Sequence, residues 1–172
     1  MAKFDFDKIT PRYNTDCIKY DFAVERGLPK DVLPLWVADM DFTAAPCIKK
    51  ALSDTVEYGI WGYSNTKNDY NTVVTDWFRK RHGVDYKNEW LVKTPGAVFA
   101  ISQAVRGFTK EGDSVLVQPP VYYPFYSSIT NNNRVVVKNE LVYADGHYTV
   151  DFEDFEKKIV DNKVKLFISC VA

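Results

Sequence analysis

A short stretch with a proline and a glycine is the first part of this sequence that could bind an anion. In KTPGAVFA, a strand-like run ends at Thr94, Pro95 sets the turn, and Gly96 opens a predicted helix. The backbone N–H groups of Gly96, Ala97 and Val98 would then lack partners within the helix, so they could hold a phosphate. The alternative is an ordinary strand-to-helix turn that binds nothing. The stretch is neither a GKS/T nor a GxGxxG motif, so the nucleotide-binding fingerprints are absent.

Aromatic residues after two prolines could provide a surface for a planar ligand. The strand-like run 113–118 is followed by the two prolines and then by Tyr122. Ligands of open α/β sheets bind at the carboxyl ends of the strands. Tyr122 would therefore stand beside the anion site, where its ring could stack on an aromatic ligand. The alternative is that Tyr122, Tyr123 and Phe125 fill core space.

A loop with two large rings is the third unusual feature. Trp61 and Tyr63 lie in GIWGYSNTKNDY, residues 59–70, between two predicted helices. Exposing such rings is costly, so they either make an ordinary capping contact or serve a site. In the second case Tyr63 would reach into a site across a subunit boundary.

Alternating strands and helices must position these residues. Residues 1–35 show little periodicity and predict an extended arm that packs on another domain or subunit. Helical spacing predicts helices at 46–58 and 64–82, each followed by glycine. Further along the chain, the pattern predicts strands at 89–94, 113–118, 133–141 and 164–170, and helices at 95–108, 123–132 and 150–162. This order indicates an α/β domain with a largely parallel sheet, in which 164–170 is a buried central strand.

The composition excludes several classes of protein. The chain has 172 residues, a net charge of -1, three scattered cysteines and two histidines. The near-zero charge gives no electrostatic case for nucleic acid or an anionic membrane, and the few cysteines and histidines argue against a metal site. Neither an apolar leader nor an apolar run of roughly 20 residues is present, so we expect a cytoplasmic protein that does not enter membranes.

The end of the chain indicates that the sequence is part of a longer protein. Residues 164–170 read as a central parallel strand, and such a strand needs neighbours on both sides and covering helices. We therefore expect an N-terminal portion of an enzyme rather than a complete domain.

Four blocks together resemble the MalY/PatB family of cystathionine β-lyases, which are carbon–sulfur lyases. The blocks are LPLWVADMDFTAAPCIKKAL, GYSNTKNDY, TPGAVFAISQAV and PPVYYPFYSSI, in that order over nearly the whole chain. The family uses pyridoxal 5'-phosphate (PLP) and belongs to the fold-type-I aminotransferase superfamily (class I/II). The resemblance implies three segments: an N-terminal arm and small-domain segment at 1–45, a helical segment leading into the large domain at 46–88, and the first part of a mainly parallel PLP-binding α/β large domain at 89–172.

The resemblance also implies roles for individual residues. Gly96, Ala97 and Val98 match the loop whose amides hold the cofactor phosphate. Tyr122 matches the tyrosine that stacks on the pyridine ring. Tyr63 matches the tyrosine that the partner subunit sends to the cofactor phosphate.

Two further implications concern the substrate and the subunits. Ala38 and Asp39 lie in the segment that lines the substrate carboxylate pocket in the family. The arm before residue 35 matches a part that packs in the homodimer of the family.

No catalytic residue of the family is matched within this chain. In the family, three functional features follow the strand that VKLFISC resembles: the Schiff-base lysine, the aspartate at the pyridine nitrogen and an Asn-Pro segment. In this sequence Val171 and Ala172 come after that strand and do not continue into the Asn-Pro segment. We therefore expect the 172 residues alone to be inactive and do not expect them to retain PLP firmly.

The implied function of the full-length protein is a PLP-dependent β-lyase that converts cystathionine or cysteine conjugates to a thiol, pyruvate and ammonia. Its partners would be a sulfur-containing amino acid and a second copy in a homodimer. Two alternatives stay open: a class I/II aminotransferase, and a non-catalytic fragment or binding module.

Overall fold

The fold was determined as a computed structural model that describes residues 4–67 and 69–170. Contacts divide it into two compact units, with the boundary between Asn65 and Thr66. The three-segment division at 1–45, 46–88 and 89–172 stays a prediction. Residues Val171 and Ala172, on which part of the prediction about the chain end rests, lie outside the described residues.

The first unit contains a long non-regular segment and one α-helix. A short 3₁₀ helix covers Val24–Arg26, and helix α1 covers Pro46–Tyr58. Pro46 occupies the first turn, where a missing N–H costs nothing, and Gly59 ends the helix in the left-handed region with φ of 69°. The helix predicted at 46–58 is therefore confirmed.

The second unit contains the remaining regular elements. In chain order they are α2 (Asp69–His82), a 3₁₀ helix (Asn88–Trp90), α3 (Ala97–Phe108), β1 (Ser114–Val117), α4 (Pro124–Thr130), β2 (Val135–Lys138), β3 (Val142–Ala144), β4 (His147–Thr149), α5 (Phe152–Asp161) and β5 (Leu166–Ile168). Among the described residues of this unit, no helix is long and apolar enough to cross a membrane, and the same holds for α1.

A parallel sheet organises the second unit. Its strand order is β2-β1-β5, and both pairs are parallel. Val117 of β1 lies opposite Lys138 of β2 and Ile168 of β5, so the carboxyl ends of the three strands are level. Ligands of such sheets bind at this edge.

The core lies between this sheet and two helices. It is formed by Val105 of α3, Val115 and Val117 of β1, and Phe125 and Ile129 of α4, all of which are buried. Helix α3 also packs against α4. The prediction of an α/β fold with a largely parallel sheet is confirmed.

The strand predicted at 89–94 is wrong. A 3₁₀ helix occupies Asn88–Trp90, and no regular structure follows until α3. The side chain of Asn71 in α2 donates to the carbonyl of Asn88 (3.0 Å), and Asn88 Oδ1 accepts from the hydroxyl of Thr75 (2.8 Å). These contacts hold Asn88, just before the predicted strand, on α2. Residues 91–94 pair with no strand among the described residues, so their β propensity is not realised.

Among the described residues β1 is the middle strand and β5 lies at one side of the sheet, so the central position predicted for 164–170 in the longer protein stays a prediction. The side chains on both faces of β5 are apolar and make packing contacts. Leu166 and Ile168 pack on the core, and the ring of Phe167 meets that of Phe155 in α5 edge to face at 5.2 Å.

The sequence pattern missed a two-stranded hairpin. Strands β3 and β4 pair antiparallel around Asp145 and Gly146, which have positive φ of 50° and 81°. Asp-Gly favours this turn because both central residues must adopt the left-handed region.

Candidate functional site

The start of α3 presents the anion-binding groups that the sequence predicted. Gly96 is the N-cap residue, and its carbonyl accepts the first helical hydrogen bond, from the N–H of Ala100 at 3.1 Å. Within the described chain, no group accepts a hydrogen bond from the N–H of Gly96, Ala97 or Val98. Three adjacent free donors at the positive end of a helix suit a phosphate.

Tyr122 follows the carboxyl end of β1 and keeps its ring accessible. The chain leaves β1 through Pro119 and Pro120, which are joined by a cis peptide bond. Tyr122 is 52% exposed, and its ring contacts that of Phe125 edge to face, with centroids 5.9 Å apart. Phe125 is buried in the core and so supports one edge of the Tyr122 ring. One part of the Tyr122 surface is therefore held by the core, and the rest is free to contact a ligand.

The core-packing alternative is resolved differently for the three neighbouring rings. Phe125 fills core space, whereas Tyr122 and Tyr123 are both exposed. The packing interpretation of Tyr123 is therefore wrong within this chain, because its ring meets only the ring of Tyr122, at 5.5 Å, among the aromatic contacts of the described residues.

Tyr63 lies in the first unit and is fully exposed. Trp61, two residues earlier, is also exposed, and residues 59–67 form no regular structure. Tyr63 does not make the ordinary capping contact considered for this loop within its own unit, since its side chain is fully exposed. The ring is therefore available to a partner.

Ala38 and Asp39 belong to a segment that two cations hold in place. Arg12 hydrogen-bonds the carboxylate of Asp39 and donates to Asp41 Oδ1 at 2.6 Å. Lys19 Nζ donates to the carbonyl of Asp39 (3.0 Å) and to Asp41 Oδ2 (3.1 Å). The Asp39 side chain is thus engaged in an ion network, while Ala38 beside it is exposed.

This ion network shifts the pKa values of Asp41 and Arg12. The pKa of Asp41 is lowered, first by the hydrogen bond from Arg12 and then by that from Lys19. The pKa of Arg12 is raised, first by its hydrogen bond to Asp39 and then by that to Asp41. Opposite charges therefore favour the ionised forms of Arg12 and Asp41.

The structure places the predicted residues in two groups. Gly96, Ala97, Val98 and Tyr122 belong to one compact unit, at the starts of two helices that pack together. Tyr63, Ala38 and Asp39 belong to the other unit. Across the described residues, no cluster of three or more His, Cys, Asp or Glu side chains is arranged to hold a metal.

The class of the protein is defined by comparison with known families. The family model for aminotransferase class I and II matches residues 30–172, and the chain belongs to that family. Among curated proteins it is 43% identical over 166 residues to cystathionine beta-lyase PatB of Bacillus subtilis (strain 168), covering 96% of this chain and 43% of that protein. Protein MalY of Escherichia coli (strain K12) is 32% identical over 169 residues, with 97% of this chain and 43% of MalY covered.

Solved structures show the same relationship. A PLP-bound C-S lyase from Staphylococcus hominis, complexed with L-cycloserine, matches with a TM-score of 0.85 at 29% identity over 96% of this chain and 42% of that one. Cystalysin from Treponema denticola, which contains PLP, matches with a TM-score of 0.83 at 35% identity over the same shares. The resemblance to the MalY/PatB lyases and the fold-type-I architecture are confirmed. The chain spans 43% of the length of the PatB and MalY proteins it matches.

Proposed function

We propose that this chain supplies the cofactor-holding wall of a PLP-dependent carbon–sulfur β-lyase. The observation that carries the proposal is the row of three free N–H groups at the start of α3, on a chain of the aminotransferase class I and II family. Relatives that bind PLP or cleave cystathionine support it.

The residues present fit PLP chemically. The N–H groups of Gly96, Ala97 and Val98 are donors for the phosphate, and the exposed ring of Tyr122 is a stacking surface for the pyridine ring. When bound, PLP accepts the electron pair left by an amino acid that loses its Cα proton.

Each unit has a separate task in this proposal. The start of α3 anchors the phosphate, Tyr122 orients the ring, and the segment of Ala38 and Asp39 borders the substrate carboxylate. The ion network of Arg12 and Lys19 would hold that segment in one position. We assign no proton-transfer residue to this chain.

We further propose that the protein acts as a cytoplasmic homodimer. The fully exposed ring of Tyr63 supports the proposal, because an unsupported tyrosine in a loop gains contacts when a partner subunit covers it. Sedimentation of the protein made from the complete reading frame should give a dimer, and Tyr63→Ala should weaken PLP binding without unfolding the protein. A monomer that retains PLP with Tyr63→Ala would contradict this arrangement.

The substrate assay separates the two enzymatic candidates. With L-cystathionine and water, a β-lyase releases homocysteine, pyruvate and ammonia, so thiol and pyruvate should appear in equal amounts. The second candidate is an aminotransferase. It is supported by the similarity of this chain to a PLP-bound protein described as a putative aminotransferase from Clostridium difficile 630, at 40% identity and a TM-score of 0.84. A 2-oxo acid formed only with an amino-group acceptor, and without thiol, would replace the lyase proposal with this one.

A further inference from the structure

A completely buried amide side chain lies next to the Tyr122 segment. Asn139 follows β2 directly and has no exposed surface. Burying an amide is unfavourable unless its donors and acceptors are paired. Its hydrogen bonds therefore show which parts of the fold it holds together.

The side chain of Asn139 joins two elements. Its Oδ1 accepts a hydrogen bond from Gln118 Nε2 at 2.8 Å. Its Nδ2 donates to Asp154 Oδ2 at 2.9 Å and to the carbonyl of Asp151 at 3.2 Å. Since both acceptors face Nδ2, the orientation of the amide is set by charge and chemistry. Asn139 thus links the residue after β1 to the first turn of α5.

Backbone hydrogen bonds reinforce this link on both sides. The N–H of Asn139 donates to the carbonyl of Val117 at 3.1 Å, and the N–H of Leu141 donates to the carbonyl of Pro119 at 2.7 Å. Residues 139–141 therefore hold residues 117–119 at three points. The two prolines that follow Gln118 restrict the chain, so a position imposed at Gln118 is transmitted towards Tyr122.

We propose that Asn139 is a positioning residue for the PLP site: through Gln118 it fixes the segment that presents the Tyr122 ring. The inference rests on the proposed function, since it assigns Asn139 a role towards the PLP that Tyr122 would contact. Asn139 itself is covered and does not touch the ligand. Its effect is on the orientation and the mobility of Tyr122.

The sharpest variant is Gln118→Met, which removes one hydrogen bond and leaves those of Asn139 to α5 in place. The matched control is Asn132→Met, which removes a side-chain hydrogen bond to the carbonyl of Ser128 (2.7 Å) beyond the far end of α4. Asn139→Ala is the complementary variant, although it also removes the support of α5 and can impair folding.

Three measurements on protein made from the complete reading frame test the inference. They are the Kd for PLP, amide hydrogen exchange of residues 121–126 without PLP, and the Tm without PLP. Gln118→Met should raise the Kd about five- to tenfold, the usual effect of one hydrogen bond. It should also speed exchange at 121–126 more than Asn132→Met does, and it should lower Tm modestly, because it leaves the buried Oδ1 of Asn139 without a donor.

Two results separate failure of the inference from failure of the proposed function. If the unsubstituted protein binds PLP but Gln118→Met changes neither the Kd nor the exchange at 121–126, Asn139 has only a structural role. If the unsubstituted protein does not bind PLP, the proposed function itself is wrong, and the positioning role falls with it.

Discussion

The stacking role of Tyr122 leads to a prediction with a definite size. A tyrosine side chain of about 200 Å² that is 52% exposed presents about 100 Å², and a ligand on one face of the ring would cover about half of that. Removing about 50 Å² from water contributes about 1.3 kcal/mol, and favourable ring geometry adds about 0.5–1.5 kcal/mol. Tyr122→Ala should therefore lose about 2 kcal/mol of PLP binding, which is about a thirtyfold increase in Kd.

The assay is an equilibrium titration of PLP, followed by its absorbance, on protein made from the complete reading frame. Tyr122→Phe keeps the ring and should stay within about twofold of the unsubstituted Kd, since the hydroxyl is not used for stacking. The matched control is Tyr148→Ala on the hairpin, where an equally exposed tyrosine packs on Tyr143 with centroids 4.9 Å apart. This change should leave the Kd unaltered.

A Tyr122→Ala protein that binds PLP as tightly as the unsubstituted protein would refute the stacking role of Tyr122. It would equally be refuted if Tyr148→Ala weakened binding to the same extent, because the loss would then reflect general destabilisation. A change in Tm without a change in Kd would place Tyr122 in folding rather than in the site.

Three further predictions test the anion site, the ion network and the core. Ala97→Pro removes one free N–H at the first helical position, where proline is tolerated, so Tm should stay nearly unchanged. Titration with PLP should show a Kd raised about tenfold or more. An unaltered Kd would show that the N–H of Ala97 does not bind the phosphate. Because the pKa of Asp41 is held below its ordinary value of 3.8, the ionised form stabilises the fold above that pH, and the stabilisation is lost as pH falls through the folded pKa. Thermal unfolding between pH 7 and pH 2.5 should thus show a shallower acid-side loss for Asp41→Asn, and identical curves would contradict the ion network. Ile129→Ala creates a cavity at a completely buried position. It should lower the free energy of unfolding, measured with denaturant, by about 2–5 kcal/mol. A decrease of less than about 1 kcal/mol would show that the core around α4 relaxes to fill the cavity.

Local chemistry allowed the sequence to predict much of the fold. Helix α1 was predicted from Pro46 and Gly59, because proline suits a first turn and glycine suits a left-handed end. The failure at 89–94 shows the limit of such signals: its residues favour a strand, but a strand also needs a partner, and none of the described strands pairs with them.

In the candidate site, too, the features set by local sequence could be predicted, and those set by tertiary packing could not. The free amides of Gly96 to Val98 follow from a helix start, which is a local property. The accessibility of Tyr122 and the burial of Phe125 could not be read from their spacing, because both depend on how α4 packs on the sheet. The sequence also did not predict two long-range side-chain hydrogen bonds that support the site, between Arg12 and Asp39 and between Gln118 and Asn139.

The sequence by itself determined the order of most helices and strands, the helix start that can hold an anion and the family resemblance. Only the tertiary structure decided that Arg12 pairs with Asp39, 27 residues away, and that Asn139 pairs with Gln118, 21 residues away. The physical reason is that periodicity and capping act within a few residues, whereas these pairs meet only after the chain has packed. Their partners are chosen by burial and charge in the folded state, which no local spacing encodes.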